Sequence, residues 1–212
     1  MIGELLLRNL KDTKYLCWDT ETENLNQYFS RPWQVGFIVA TLDKILESHC
    51  YYIWWDNLNV SPEAIKVTRF DYDKYKSEAK PAKEVLGIFE TYLYDPKLFN
   101  VAHNLLNFDC YQHNTWRREL GIKPDYSYLQ RTLDTNCLSK AYKKGFKLEE
   151  GGDRLAWQWK LANFHEKGVK TSLGTMAKEF GIPFDFNSMH EANNDVKITW
   201  QVLRNLIWKL EI

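Results

Sequence analysis

Three short acidic segments carry the chemistry open to this chain. Asp19 and Glu21 stand two residues apart after the apolar run Tyr15-Leu16-Cys17-Trp18. Asp109 closes the stretch His103-Asn104-Leu105-Leu106-Asn107-Phe108-Asp109, and His190 precedes Asp195 by five residues. Four carboxylates and one imidazole are what two-metal phosphodiester hydrolysis needs. Magnesium and manganese prefer oxygen ligands, and two such ions about 3.5–4 Å apart can clamp the attacking and leaving oxygens. A histidine with an ordinary pKa near ~6.5 can take a proton from the attacking water.

These side chains must be brought together by their elements. Residues 15–20 read as a strand, whose two-residue period sends Asp19 and Glu21 to one face and Thr20 to the other, into the core. Asp109 falls in the first turn of an expected helix, where an acidic residue also serves the helix dipole. His190 and Asp195 lie about 140° apart around a regular helix. They overlook one cleft if His190 sits at the helix's N-terminal end and Asp195 one turn inside. Each segment alone has a plain structural explanation: a strand-end pair in solvent, a helix-start Asp, a capping histidine. Their order and spacing together point to a site.

The remaining pattern predicts strands over 35–42 and 45–54, separated by the hairpin signal Asp43-Lys44. Ser61-Pro62-Glu63 reads as a helix start. Val85, Ile88, Phe89, Tyr92 and Leu93 give residues 80–94 a helical period with one wet face. A buried strand over 98–102 precedes a helix over 105–120, which Gly121 stops. A strand over 129–133 leads to Asp134, which caps the next helix. A short helix over 172–180 ends at Gly181, and a final helix runs from about 191 to 210. Strands first, then alternating strands and helices, predict an α/β sandwich around a mixed sheet. Residues 1–212 read as one domain.

Composition narrows the function classes. The chain has 212 residues, 44% apolar and 26% charged, which suits an ordinary folded domain. Its 28 basic and 28 acidic residues cancel, which excludes coating nucleic acid along its length and leaves a local contact with a strand end. The 9 Trp, 12 Tyr and 11 Phe exceed what such a core needs, so some are expected in a cleft where bases stack. Cys17, Cys50, Cys110 and Cys137 lack metal or disulfide spacing, and Cys17 and Cys110 read as small core residues. No leader, membrane span or lipidation motif is seen, so a soluble, cytoplasmic protein without a membrane partner is expected. Residues 140–170 form a basic and aromatic insertion with eight basic residues against four acidic ones, interleaved with Trp157, Trp159 and Phe164. Two readings are open for it: a strand-guiding element beside the site, or an amphipathic helical insertion showing lysines to water.

The motif set resembles the DEDD superfamily of 3′–5′ exonucleases, in the branch with histidine in its third motif (DEDDh), which includes proofreading subunits. Asp19-Thr20-Glu21-Thr22 is similar to the first motif. Val101-Ala102-His103-Asn104-x-x-x-Phe108-Asp109 is similar to the second, and His190-x-Ala192-x-x-Asp195 with Thr199 to the third. Gln34-Val35-Gly36, Leu133-Asp134-Thr135 and the run from Leu173 to Pro183 are secondary matches. The resemblance implies an RNase H-like mixed β-sheet flanked by α-helices. It implies two divalent ions, Mg2+ or Mn2+, held by Asp19, Glu21, Asp109 and Asp195, with His190 as general base. Thr22, Leu25 and Asn104 would hold the terminal nucleotide. The implied activity removes nucleoside 5′-monophosphates from the 3′ end of DNA, single-stranded or frayed. The alternatives are an exoribonuclease of the same fold and a catalytically silent nucleic-acid-binding replication subunit. The partners are then a DNA or RNA 3′ end and, by analogy with proofreading relatives, a separate polymerase chain. Two departures stand out. Asn194 replaces a second acidic residue before the last Asp, and Glu23-Asn24 replaces Thr-Gly after the first motif.

Overall fold

The computed structural model describes residues 12–184 and 192–210. Its strands are β1 (Lys14–Thr22), β2 (Pro32–Ala40), β3 (Ile45–Trp54), β4 (Lys80–Pro81), β5 (Leu98–Ala102) and β6 (Thr132–Asp134). They form one sheet in the order β4-β3-β2-β1-β5-β6. β2 is antiparallel to β1 and β3, while β3–β4, β1–β5 and β5–β6 are parallel. Among the described strands, β2 alone therefore runs against the rest. The helices are α1 (Pro62–Thr68), α2 (Tyr72–Glu78), α3 (Ala82–Leu93), α4 (Asp109–Glu119), α5 (Thr135–Lys144), α6 (Arg154–Ala162), α7 (Leu173–Glu179) and α8 (Ala192–Leu210).

The period of β1 sorts the two cores. Leu16 and Trp18 pack with Val85 and Phe89 of α3 and Trp116 of α4, and the Trp18 and Phe89 rings lie 5.2 Å apart. Tyr15 and Cys17 face the other way, onto Met176 of α7 and Val196 and Leu203 of α8. Burying each large side chain contributes about 1.5–3 kcal/mol, so the sheet is held by helices on both faces. Cys17 and Cys110 are buried, as their neighbours in sequence suggest.

Several boundaries differ from the sequence expectations, β2 running Pro32–Ala40 rather than 35–42 and three others as follows. The helix expected over 105–120 is split into a 3-10 turn at Leu105–Asn107 and α4. Asn104 adopts a left-handed conformation (φ 74°), and the Asp134 carboxylate accepts the Asn104 and Leu106 N–H groups at 3.0 Å each. An acceptor off the helix axis thus breaks the ladder before Asp109 restarts it. The strand expected over 129–133 begins only at Thr132, after a 3-10 turn at Ser127–Arg131, and Asp134 caps α5 as expected. The third helix starts at Ala82 because Lys80 and Pro81 pair with the end of β3. In the 140–170 segment, α6 is the amphipathic helix of the second reading. Its Gln158 amide accepts from Asp134 N–H at 2.7 Å and donates to Thr132 carbonyl at 2.9 Å, satisfying the free edge of β6.

Candidate active site

Asp19 and Glu21 leave β1 on the face covered by α8, and the first turn of α8 carries Asp195. One carboxylate oxygen from each of the three lies within 4.8 Å of the others. Two residues of β2 set this approach. Gln34, opposite Glu21 in register, accepts the Ala192 N–H through Oε1 at 3.3 Å. Gly36, opposite Asp19, lets the α8 backbone sit so close that a Cβ there would lie 2.6 Å from the Ala192 carbonyl carbon. Ser48 of β3 adds a hydrogen bond to Asn193 Oδ1 at 3.1 Å. The helix bearing the third carboxylate is therefore seated on the strand pair that carries the first two.

Asp109 does not join these three: it lies nearby on the opposite face of the sheet. Thr20 points to that face, as its position in β1 predicts, and its hydroxyl donates to Asp109 Oδ1 at 2.8 Å. Burial pushes the Asp109 pKa up to about 7, with the Thr20 hydrogen bond working against it and Asp134 adding to it. Burial also raises Asp19 well above the usual carboxylate range, and the charges of Asp109, Glu21 and Asp195 raise it further. Glu21 is raised by burial and by Asp195 and Asp109. Buried like charges at this spacing bind protons or a cation, because neither alternative leaves them bare. An all-oxygen donor set of this kind fits a hard divalent ion such as magnesium or manganese.

The triad opens into a cavity of about 480 Å³ whose wall includes Thr22, Leu25, Ala64, Val67 and Phe108. That volume lies within the range of ordinary small-ligand sites. The start of α1 was legible at Ser61-Pro62-Glu63, but not its place in the cavity wall, where it supplies Ala64 and Val67. The Glu23-Asn24 departure explains how α1 is held. The Glu23 carboxylate accepts from Arg31 N–H (2.9 Å), Nε (3.0 Å) and Nη2 (2.6 Å), and from Asn59 N–H at 2.7 Å. The Glu23 carbonyl accepts Ser61 N–H at 2.8 Å, and Ser61 is the N-cap of α1. The loop leading into the cavity wall is thereby tied to the end of β1. The Arg31 pair accordingly holds Glu23 below the usual carboxylate range despite its burial. A signal for this existed in Glu23 and Arg31, but no local spacing connects them to residues 59–61.

The other expected residues are placed as follows. Thr22 and Leu25 line the acidic cavity. Asn104 lines a separate cavity with Asn107, Asn136 and Lys140, beyond the ends of β5 and β6. The neighbouring His103 is half-buried, bonded through Nδ1 to Thr135 Oγ1 at 2.9 Å, and its pKa is pushed down to about 4 by desolvation of its ring. His190 lies outside the described residues.

No family model matches the chain. No curated protein matches it by sequence. Solved structures do match in fold. E. coli exonuclease I in complex with a dA16 oligonucleotide superposes with a TM-score of 0.71 at 16% identity, over 94% of this chain and 41% of that one. The zinc-bound E. coli exonuclease I–single-stranded DNA complex gives 0.71 at 16% identity, over 91% and 40%. Exonuclease I from Methylocaldum szegediense gives 0.68 at 16% identity, over 92% and 40%. This chain thus spans about two fifths of the exonuclease I structures it matches. It shares their RNase H-like fold, a mixed sheet flanked by helices.

Proposed function

We propose that this chain is a divalent-metal-dependent 3′–5′ exonuclease that releases nucleoside 5′-monophosphates from DNA. The observation that carries this reading is the triad of Asp19, Glu21 and Asp195, the latter two buried, opening into a nucleotide-sized cavity. The fold shared with exonuclease I supports it by analogy. The three carboxylates would hold one ion, Asp19 would be shared with a second, and Asp109 would act on it through water. When bound, such ions neutralise charge on the non-bridging and leaving oxygens of the phosphate. The E. coli enzyme is known in a zinc-bound form, whereas the carboxylate set here suits magnesium or manganese.

The chain's own side chains then divide the work. Leu25, Val67 and Phe108 offer an apolar wall against which the terminal nucleoside rests, with Thr22 as a polar contact. His190, by the motif it shares with the DEDDh branch, takes the proton of the attacking water. The water oxygen bonds to phosphorus as the bond to the 3′ oxygen of the preceding nucleotide breaks. That oxygen leaves as an alkoxide and takes a proton from solvent to become the 3′-hydroxyl, and the product is a 5′-monophosphate.

The test uses 5′-labelled single-stranded DNA and matched RNA with magnesium, manganese or EDTA, beside Asp19→Ala. A metal-dependent ladder shortening from the 3′ end, lost in the variant, is the expected result on DNA. Degradation of RNA alone would make the chain an exoribonuclease. Tight binding without cleavage of either strand would make it a silent binding module.

A further inference from the structure

Beside the acidic cavity lies a second one of about 490 Å³, of opposite character. The two adjoin at consecutive residues, since Asn107 lines the second and Phe108 the first. They also follow adjacent parallel strands, β1 for the acidic cavity and β5 and β6 for the other. A chain whose end rests on the triad could therefore continue across the rim at 107–108. We propose that the second cavity binds the phosphodiester backbone of the strand leading to the cleaved end, a proposal that rests on the exonuclease reading.

The lining fits an anionic, hydrogen-bonding chain. Lys140 is 8% exposed, and its ammonium donates to the carbonyls of Leu161 (2.9 Å) and Ala162 (3.0 Å). Among the described residues these are its hydrogen-bond partners, so one of its three donors remains for a ligand. Two neutral carbonyls do not cancel its charge. A buried cation held by neutral dipoles in a polar cavity is a ready site for an anion. Lys167 adds a second cation at the rim, and the one acid of the lining, Glu166, is paired with Lys144 at 2.8 Å. Asn107 and Asn136 are fixed by their own contacts, Asn107 Nδ2 to the Ala162 carbonyl at 3.2 Å and Asn136 Oδ1 to the Thr171 hydroxyl at 2.7 Å. The cavity is thus built by the C-terminal part of the 140–170 segment closing over α5. Its α6 half packs as a structural helix, and its 163–171 half faces the strand path.

The test measures binding of 5′-fluorescein-labelled dT8 by anisotropy in EDTA between 50 and 200 mM salt, for the wild type, Lys167→Ala, Lys167→Arg and Lys140→Met. Lys167→Ala should weaken binding by about 2–5-fold, the scale of an exposed ion contact. It should also flatten the slope of log K against log salt by about 0.7, the value per phosphate contact on a single strand. Lys167→Arg should restore both, and Lys140→Met should weaken binding by about 10-fold or more while remaining folded by circular dichroism. Wild-type affinity and slope in both charge-removing variants, or no dT8 binding by the wild type at 100 µM (about the limit of non-specific binding), overturns the proposal. Wild-type hydrolysis of the p-nitrophenyl ester of thymidine 5′-monophosphate with manganese reads the acidic site separately. No ester hydrolysis with lysine-dependent dT8 binding leaves the cavity standing and removes the exonuclease reading. Ester hydrolysis with lysine-independent binding does the reverse.

Discussion

Replacing Gly36 by alanine should damage the metal site without touching a carboxylate. The new Cβ would lie 2.6 Å from the Ala192 carbonyl carbon and 2.8 Å from both Ala192 O and Asn193 N. All three are backbone atoms, so no side chain can swing away. Restoring an ordinary 3.4 Å contact moves the start of α8 outward by about 0.8 Å. Asp195 is one turn along that helix and moves with it, while Asp19 and Glu21 stay on β1. Overpacking of this kind costs about 1–3 kcal/mol. For a chain of this size that lowers the melting temperature by about 2–12 °C. A misplacement near 1 Å at a reacting centre costs up to about 100-fold in rate. Manganese titration by calorimetry should show weaker binding, and hydrolysis should fall by more than the stability loss explains. Gly87→Ala is the control, because nothing lies within 4 Å of its Cβ and it sits on the exposed side of α3. It should gain about 0.5–1 kcal/mol from helix propensity and leave manganese affinity unchanged. Wild-type manganese affinity and rate in a folded Gly36→Ala would refute the argument that β2 seats Asp195.

The other expectations can be checked with simple variants and melts. In EDTA, the raised Asp109, Asp19 and Glu21 bind more protons folded than unfolded, so their contribution is full below about pH 3.8 and is lost as pH rises, for Asp109 through about 7. His103 and the buried His113, both pushed down, work the other way below about pH 6.5. The EDTA melting temperature should therefore fall between pH 6.5 and 8, and the increment from saturating manganese should grow over the same interval. A metal increment that shrinks as pH rises would contradict the assignment. Glu23→Ala strips four hydrogen bonds from Arg31 and the loop to α1, so it should raise KM for a DNA end more than it lowers kcat. An unchanged KM would mean that α1 is not part of the nucleotide site. Asp195→Asn should abolish activity with the fold intact, and a rate above about a tenth of wild type would count against its role as a ligand. His190→Ala should slow turnover by about 10²–10⁴-fold and remove the fall in rate below roughly pH 6–6.5. Retention of both would rule out His190 as the base.

The parts legible in the sequence are those set by short-range periodicity. Alternation along β1 was enough to send Asp19 and Glu21 to one face and Thr20 to the other. The cap Asp134, the N-cap Ser61 and the stop at Gly181 are single-residue signals of local backbone need. What escaped was long-range. The Asp134 carboxylate that breaks the helix at 105–108 lies nearly thirty residues away, and the loop to α1 is tied by Glu23 across more than thirty-five. Asn104 was assigned to the terminal nucleotide from its place in a motif. It lines the cavity formed with the 140–170 segment, where its left-handed backbone and the Asp134 contact place it.

Electrical neutrality then takes on a spatial meaning. Three carboxylates, those of Asp19, Glu21 and Asp195, cluster where β1 meets α8, while the 140–170 segment brings cations to the ends of β5 and β6. A uniformly basic surface would hold nucleic acid anywhere along its length. Here Lys140 and Lys167 offer attraction beside a site that repels phosphate until its own charge is neutralised. Cation binding at the carboxylates and strand binding at the lysines would therefore reinforce each other, since each ion removes the repulsion that the incoming phosphate meets.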